Sequence, residues 1–296
     1  MTNIKDLSIV VFSKDRPLQL QGYIASLLFF GKIKQNNITI IYKIDEEFSY
    51  VKLTKDYPEI KWIGEGDFYE DLVNCLAQAS DYIMFGCDDV VFKDHIDFAY
   101  ALNILSNNDM VFGFSLRLGD NIKPAPNYVE NDDLHNVWNW NLSTLSSWNY
   151  PWELDSTIYR KADVIKILKQ LTSKKIKNPN FFESEVANAP TLYIDRNCLA
   201  SFKSSKSIVL TVNRVQDNFN NEFDDSLATD VRSLNAVYKN GGKLDYLAIA
   251  KMPNKRIHVG AEYFKITGSE GYDFTIYVLL KKTVKKIQTA LKRFGI

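Results

Sequence analysis

An α/β fold with a mostly parallel central sheet is predicted by three observations in the first half of the chain. Apolar, β-branched runs alternate with helical patterns in the order strand, helix, strand, helix, strand, which implies crossover connections and helices on both faces of the sheet. The runs are continuously apolar rather than alternating, as strands covered on both faces are. Polar residues then gather where the runs end, at Ser13 to Arg16, at Asp45 and at the adjacent pair Asp88 and Asp89. In parallel sheets ligands collect at such carboxyl ends.

The elements follow in order. "LSIVVFS" reads as a buried strand, and "KDRPLQLQGYIASLLFFGKI" as a loop and then a helix whose start suits Pro17. "NITIIYKID" is a second strand, and "KDYPEIKWIGEG" carries a shorter extended piece. Leu72, Cys75, Leu76 and Ala79 recur at helical spacing before the strand "YIMFGCDDVVF". "HIDFAYALNILSNN" predicts a helix and "DMVFGFSL" a strand, after which residues 119–155 turn rich in Asn, Pro and Trp. "STIYRKADVIKILKQL" reads as strand into helix, "NPNFFESEVANA" as a loop opening a short helix, and "KSIVLTVN" as another strand. "NNEFDDSLATDVRSLNAVYKNGGKLD" reads as loop, helix and Gly-Gly stop. With no repeat and no linker, residues 1–273 are expected to form one domain, in halves 1–115 and 116–273.

Among 296 residues Lys plus Arg equals Asp plus Glu at 36 each, so nothing global points to nucleic acid. The first ten residues lack a secretory pattern, and no run reaches the roughly 18 apolar residues of a spanning helix. Cys75, Cys87 and Cys198 are odd in number and set in apolar surroundings, which fits buried free thiols in a reducing cytoplasm. Residues 274–296 contain six Lys or Arg and no acid, with Leu280, Val284, Ile287, Leu291 and Phe294 on one helical face. That basic amphipathic helix suits an anionic membrane surface or a membrane-bound partner, and equally suits a stripe that caps the protein's own core.

The chemistry centres on Asp88 and Asp89. Flanked by "YIMFGC" and "VVF", two adjacent carboxylates have few partners except a hard divalent cation or backbone donors. The pairs Asp132/Asp133 and Asp224/Asp225 lie in polar segments, where solvated loop acids are the default. Trp138, Trp140, Trp148 and Trp152 fall in a polar stretch, which suggests either a binding wall of flat apolar faces or a loop pinned by large anchors. Glu183 and Glu185 sit near a helix start, and Asp155 in a turn.

The "SKDRP" turn after the first strand, the apolar strand into "CDD", the segments "PWELDSTIYRK", "NPNFFE" and "VNRVQDNF", and the late His in "RIHVG" together resemble GT-A fold glycosyltransferases. The resemblance is to family 2-like enzymes of bacterial surface polysaccharide synthesis. It covers residues 7 to about 262 as an ordered chain of short motifs. It implies a Rossmann-like nucleotide-diphospho-sugar fold, with residues 1–115 binding nucleotide and 116–273 binding acceptor. It implies Mn2+ or Mg2+ held by Asp89, Asp88 and His258, with a Cys at position 87 where the family has an Asp. Ser13, Lys14, Asp15, Arg16, Asp45, Asp88, Arg214 and Gln216 would contact the donor, a UDP-sugar by expectation. Inversion needs a carboxylate base, for which Glu183 matches the "NPN--E" pattern, with Glu185 the neighbouring choice and Asp155 an acceptor or donor-sugar contact. The four tryptophans would line the acceptor, a glycan or lipid-linked glycan, and the enzyme would work in the cytoplasm, peripheral on the inner membrane face. A nucleotidyltransferase would want a Gly-rich first loop, which "VVFSKDRPLQ" lacks, and a two-metal phosphohydrolase would want more histidines. An inactive sugar- or nucleotide-binding module is the reading from a different class.

Overall fold

The computed structural model of the chain describes residues 4–45, 49–213 and 230–268. Strand β1 (Leu7–Lys14) leads into helix α1 (Pro17–Gly31), then β2 (Ile38–Lys43), the short α2 (Val51–Asp56), β3 (Lys61–Gly64), α3 (Phe68–Gln78) and β4 (Tyr82–Cys87). A short β5 (Val90–Phe92), α4 (Phe98–Asn107) and β6 (Val111–Ser115) follow, and then the strands β7 (Tyr128–Asn131) and β8 (His135–Asn139). The rest comprises β9 (Thr157–Arg160), α5 (Lys161–Leu168), α6 (Pro179–Ala187), β10 (Cys198–Phe202), β11 (Ser207–Leu210), α7 (Val231–Lys239), β12 (Lys243–Leu244), α8 (Tyr246–Ala250), β13 (His258–Val259) and β14 (Ile266–Thr267).

Nine strands form the central sheet in the order β3-β2-β1-β4-β9-β6-β10-β8-β7. Strands β1 to β4 pair in parallel, as do β6 and β10, whereas β9 and β8 run against their neighbours. The expected α/β sheet is present, and strands from both halves of the chain build it. Leu7, Ile9, Val10 and Val11 of β1 are fully buried, each such side chain adding about 1.5–3 kcal/mol over exposure. A continuously apolar strand is thus stable only in the middle of a sheet, where β1 lies.

The ends of the helices obey local rules. Pro17 starts α1, Asp67 accepts a hydrogen bond from Glu70 N at the start of α3, and Asn178 caps α6 by accepting from Phe181 N. Gly241 takes φ 87° just past α7, where an L side chain is strained.

The direction of the strands decides what meets. The carboxyl ends of β1, β4 and β6 and the start of the antiparallel β9 all lie along one edge of the sheet. A second sheet, β13-β11-β5, crosses the same edge, with Leu210 N donating to Asp89 O at 2.8 Å.

Residues 119–155 depart from the loop-like segment expected there. They contain the β7–β8 hairpin and bury all four tryptophans, Trp138 and Trp152 at 0 %, Trp148 at 1 % and Trp140 at 4 % exposure. The indole N–H groups of Trp138, Trp140 and Trp148 donate to the carbonyls of Trp148, Arg196 and Pro124. Trp152 packs against Phe85, Phe112, Tyr159 and Phe182. The expectation of an acceptor wall made of these indoles is therefore corrected: of the two readings, the anchors hold.

The three cysteines are free thiols, Cys75 and Cys198 buried and Cys87 partly so. Among the described residues no helix is long and apolar enough to cross a membrane. The basic segment 274–296, Arg214 and Gln216 lie outside the described residues.

Candidate functional site

The site is built around the turn after β1. Asp15 adopts φ 54°, in the left-handed region that Asp tolerates better than most residues, and its amide donates to Lys43 O at 3.2 Å. Its carboxylate accepts from Asp45 N at 3.0 Å, so the turn is fastened to the end of β2. That kink returns Arg16 beneath the end of β4. There the guanidinium Nη1 donates to Asp88 Oδ1 at 3.0 Å and Asp89 Oδ2 at 3.1 Å, and Nη2 donates to Asn213 O. Asp88 Oδ2 also accepts from Ser13 Oγ at 2.8 Å and Lys14 N at 3.2 Å. Tyr50, just before α2, completes the network by sharing a 2.8 Å hydrogen bond with Ser13 Oγ and accepting from Arg16 N at 3.1 Å.

These bonds refine the expected donor and metal contacts. Both oxygens of Asp88 serve the protein itself, and Ser13, Asp15 and Arg16 are buried within the same network. Their side chains are engaged within the protein, where each helps hold the loop in shape. Asp89 is the member of the pair that opens outward, with its side chain 20 % exposed. Lys14 and Asp45 face solvent and pair with each other at 2.7 Å. His258 begins β13, exposed, and pairs across Val209 in the three-stranded sheet whose next strand holds Val90. Two strand spacings, roughly 10 Å, separate its backbone from that of the Asp89 edge.

A second set of groups converges from the other side. The β4–β9 register pairs Met84 with Ile158 and Ile83 with Tyr159, and continuing it sets Asp155 beside Cys87. Glu153, Asp155, Arg117 just beyond β6, and Glu183 on α6 meet there. Tyr150 Oη donates to Glu183 Oε1 at 2.9 Å. Arg117 Nε lies 3.5 Å from Glu153 Oε1, and Glu153 accepts from Asp155 N. Glu185, two residues along α6, points elsewhere and pairs with Lys175 at 3.3 Å. A helix turns about 100° per residue, so only one of the two glutamates can enter the cluster.

Electrostatics sets these groups apart. Burial pushes the Glu183 carboxyl up to about 7, Glu153 adds to the rise, and the Tyr150 hydrogen bond and Arg117 oppose it. Burial likewise raises Asp155 well above the carboxylate range, reinforced by Glu153, Glu183 and Asp89. Asp88 is pushed up to about 6 by burial, against the pull of Arg16. For Arg16 burial works against the charge, yet the two carboxylates outweigh it and its pKa is raised. Burial and then Asp155 raise the Cys87 thiol, which is therefore no thiolate at neutral pH.

Five carboxyl groups thus face two guanidiniums. Carboxylate oxygens are the ligand type a hard divalent cation prefers, and Asp89 is the one of the adjacent pair that is partly open to solvent. A separate group, Glu130, Asp132 and His135, lies on the β7–β8 hairpin. Its carboxylates meet opposite ring nitrogens, Asp132 at Nδ1 (2.8 Å) and Glu130 at Nε2 (3.4 Å). One ligand atom from each of the three residues lies within 4.8 Å of the others.

Sequence reading missed Tyr50, Arg117, Tyr150, Glu153 and Asn213. Only Glu153 carried a signal, as a second acid two residues before Asp155 in the quoted "PWELDS" turn.

No protein-family model matches the chain. It is 28 % identical over 265 residues, 76 % of its length, to the bifunctional glycosyltransferase pgtA of Dictyostelium discoideum. The relative is a glycosyltransferase. The sequence resemblance to glycosyltransferases is matched by this curated protein, of which the chain spans 34 % of the length. Among solved structures, S. aureus TarS 1-349 in complex with UDP-GlcNAc is 12 % identical, covering 68 % of this chain and 57 % of that one at a TM-score of 0.44. The mannosyltransferase PcManGT from Pyrobaculum calidifontis, in complex with GDP-Man and Mn2+, is 7 % identical, covering 62 % and 51 % at a TM-score of 0.37.

Proposed function

We propose that the chain transfers a sugar from a nucleotide-diphosphate sugar, of UDP type, to a hydroxyl group of a glycan or lipid-linked glycan, with inversion and with Glu183 as the base. The observation that carries the reading is the gathering of Asp89, Asp155 and Glu183 at one edge of the sheet, in a chain similar to a glycosyltransferase. A base works best when its pKa lies near the working pH. Glu183, at about 7, meets that condition where an ordinary surface glutamate does not.

Asp89 and His258 would hold Mn2+ or Mg2+, and Asp88 supports them by fixing the loop. What a bound cation supplies there is charge neutralisation for the departing diphosphate. Lys14, released from Asp45, reaches the phosphates, and Arg16 keeps the two aspartates from repelling each other when no donor is bound. Asp155 orients the donor sugar or the acceptor hydroxyl, and Glu183 takes the hydroxyl proton as the new bond forms. Arg214 and Gln216 would add contacts to the donor. The resemblance of its short motifs to those of surface-polysaccharide enzymes supports a role in polysaccharide assembly. The basic amphipathic pattern of residues 274–296 supports work at the cytoplasmic membrane face.

A screen of UDP-, GDP- and dTDP-sugars for thermal stabilisation, with and without Mn2+, tests the reading. Stabilisation by one sugar nucleotide together with slow release of its sugar to water is expected. Consumption of a nucleoside triphosphate instead, or no shift with any donor in a folded sample, overturns it.

A further inference from the structure

Trp148 and Trp152, both buried, frame an aromatic residue that is not. Tyr150 lies midway between them in sequence, is partly exposed, and among the described residues packs against no other aromatic ring. Its hydroxyl donates to Glu183 Oε1 at 2.9 Å. Glu183 is also partly exposed, and among the described residues no hydrogen bond reaches its second oxygen, Oε2. The bond thus ties the loop ahead of β9 to α6 through one oxygen of the carboxylate and leaves the other open.

The chain is fastened on both sides of Tyr150. Before it, Trp148 N and Asn149 N both donate to Leu145 O, at 2.8 and 3.0 Å. The Trp148 indole N–H donates to Pro124 O at 2.9 Å, and the Trp148 carbonyl accepts from Trp138 Nε1 at 2.8 Å. After it, Pro151 O accepts from Tyr159 Oη at 3.1 Å, and Glu153 N donates to the same hydroxyl at 2.9 Å. Trp152 fills the space between Phe85, Phe112, Tyr159 and Phe182. Anchored neighbours leave the Tyr150 backbone little freedom, so its hydroxyl reaches Glu183 from a fixed point.

We propose that Tyr150 is the positioning residue for the base: its hydroxyl fixes Oε1 of Glu183, so that Oε2 is the oxygen presented to the acceptor hydroxyl. This rests on the reading of Glu183 as base. A glutamate side chain turns about several torsions and loses rotamer freedom when it is held. A base misplaced by about 1 Å can forfeit about 100-fold in rate. An anchored phenol that takes one carboxylate oxygen removes that freedom before the acceptor arrives. It also singles out Glu183 of the two glutamates on α6, for Glu185 pairs with Lys175 at 3.3 Å instead. Trp148 and Trp152 then serve the acceptor without touching it, because they set where Tyr150 stands.

The test uses Tyr150→Phe, which removes the hydroxyl and keeps the ring. Release of sugar to water is measured with the sugar nucleotide that the screen selects, since water needs the same base and requires no knowledge of the acceptor. In Tyr150→Phe kcat should fall about 10- to 100-fold, the loss expected for one hydrogen bond to a charged group, while donor KM stays within about twofold. Crystals of the wild type and of Tyr150→Phe should show the Glu183 carboxylate displaced or spread over rotamers in the variant, with Trp148 and Trp152 in place. Adding Tyr150→Phe to Glu183→Gln should lower the remaining rate no further, because the hydroxyl acts only through the carboxylate. A wild-type kcat in Tyr150→Phe, a further loss of the same size in the Glu183→Gln background, or a loss of donor affinity that matches the loss of kcat overturns the proposal. No turnover by the wild type, with the carboxylate displaced in the Tyr150→Phe crystal, would retire the functional reading and leave the anchoring of Glu183 standing. Turnover by the wild type, with the carboxylate and kcat unmoved in the variant, would do the reverse.

Discussion

Arg16→Met removes one side chain from beneath three partners, Asp88 at 3.0 Å, Asp89 at 3.1 Å and the carbonyl of Asn213. Methionine keeps most of the volume, so the cost is electrostatic. Breaking a buried pair by deleting one partner destabilises by about 3–5 kcal/mol, because the remaining charge is left uncompensated. Asp88 is 4 % exposed and bears that burden, whereas Asp89 is partly solvated and bears less. The penalty depends on pH in a definite sense. Asp88 already carries a raised value near 6, and loss of the guanidinium raises it further. A carboxyl whose folded value exceeds its unfolded one contributes stability that is fully present below the unfolded value and is lost as pH rises through the folded one. Below about pH 6 the variant and the wild type both hold the proton, and the difference shrinks to lost hydrogen bonds, about 1–2 kcal/mol. Above that value the gap widens by about 1.4 kcal/mol per pH unit until it reaches the full penalty. Urea unfolding at pH 5 and pH 8 measures both, and Arg16→Met with Asp88→Asn should recover most of the loss at pH 8. An equal penalty at the two pH values, or one under about 1 kcal/mol at pH 8, would show that the pair does not hold the loop.

Asp89→Ala should abolish the part of donor stabilisation that Mn2+ adds, while the apo protein melts within a few degrees of the wild type; unchanged metal-dependent binding would remove Asp89 from the site. Trp152→Ala empties a core position packed by four aromatic rings and should cost about 3–5 kcal/mol in chemical unfolding; a loss below about 1 kcal/mol would contradict the buried assignment. Glu183→Gln should be more stable than the wild type at pH 8 and similar at pH 4.5. The wild-type carboxyl, raised to about 7, loses stability as pH climbs through that value, a difference of order 1–3 kcal/mol after solvent at the mouth is allowed for. Melting curves at the two pH values check the sign.

The strand and helix order of the first half was legible because strands buried on both faces must be continuously apolar, and β1, β2 and β4 are. Asp88 and Asp89 stood out for the same reason, as two charges at the end of such a run. What the pattern could not show was that β9 inserts antiparallel between β4 and β6. That insertion is a tertiary choice, and it alone brings Asp155, Glu153 and Arg117 to the edge where Asp89 lies. The tryptophans misled because the segment around them is polar. Their N–H groups find backbone carbonyls inside the fold, so polar neighbours in sequence are not neighbours in space. Glu183 and Glu185 were equal by composition, and helical rotation separates them only once the packed face of α6 is known. Ser13, Asp15 and Arg16 carried the right residue types for ligand contact, and their bonds turn inward because a kinked turn with no glycine needs holding.

Turnover and donor affinity measured side by side in Glu183→Gln test the central claim most directly. With the charge-neutral isostere, sugar transfer should fall by about 10²- to 10⁴-fold, while the dissociation constant of the sugar nucleotide, by calorimetry, stays within about twofold of the wild type. A variant that transfers sugar at the wild-type rate would contradict it.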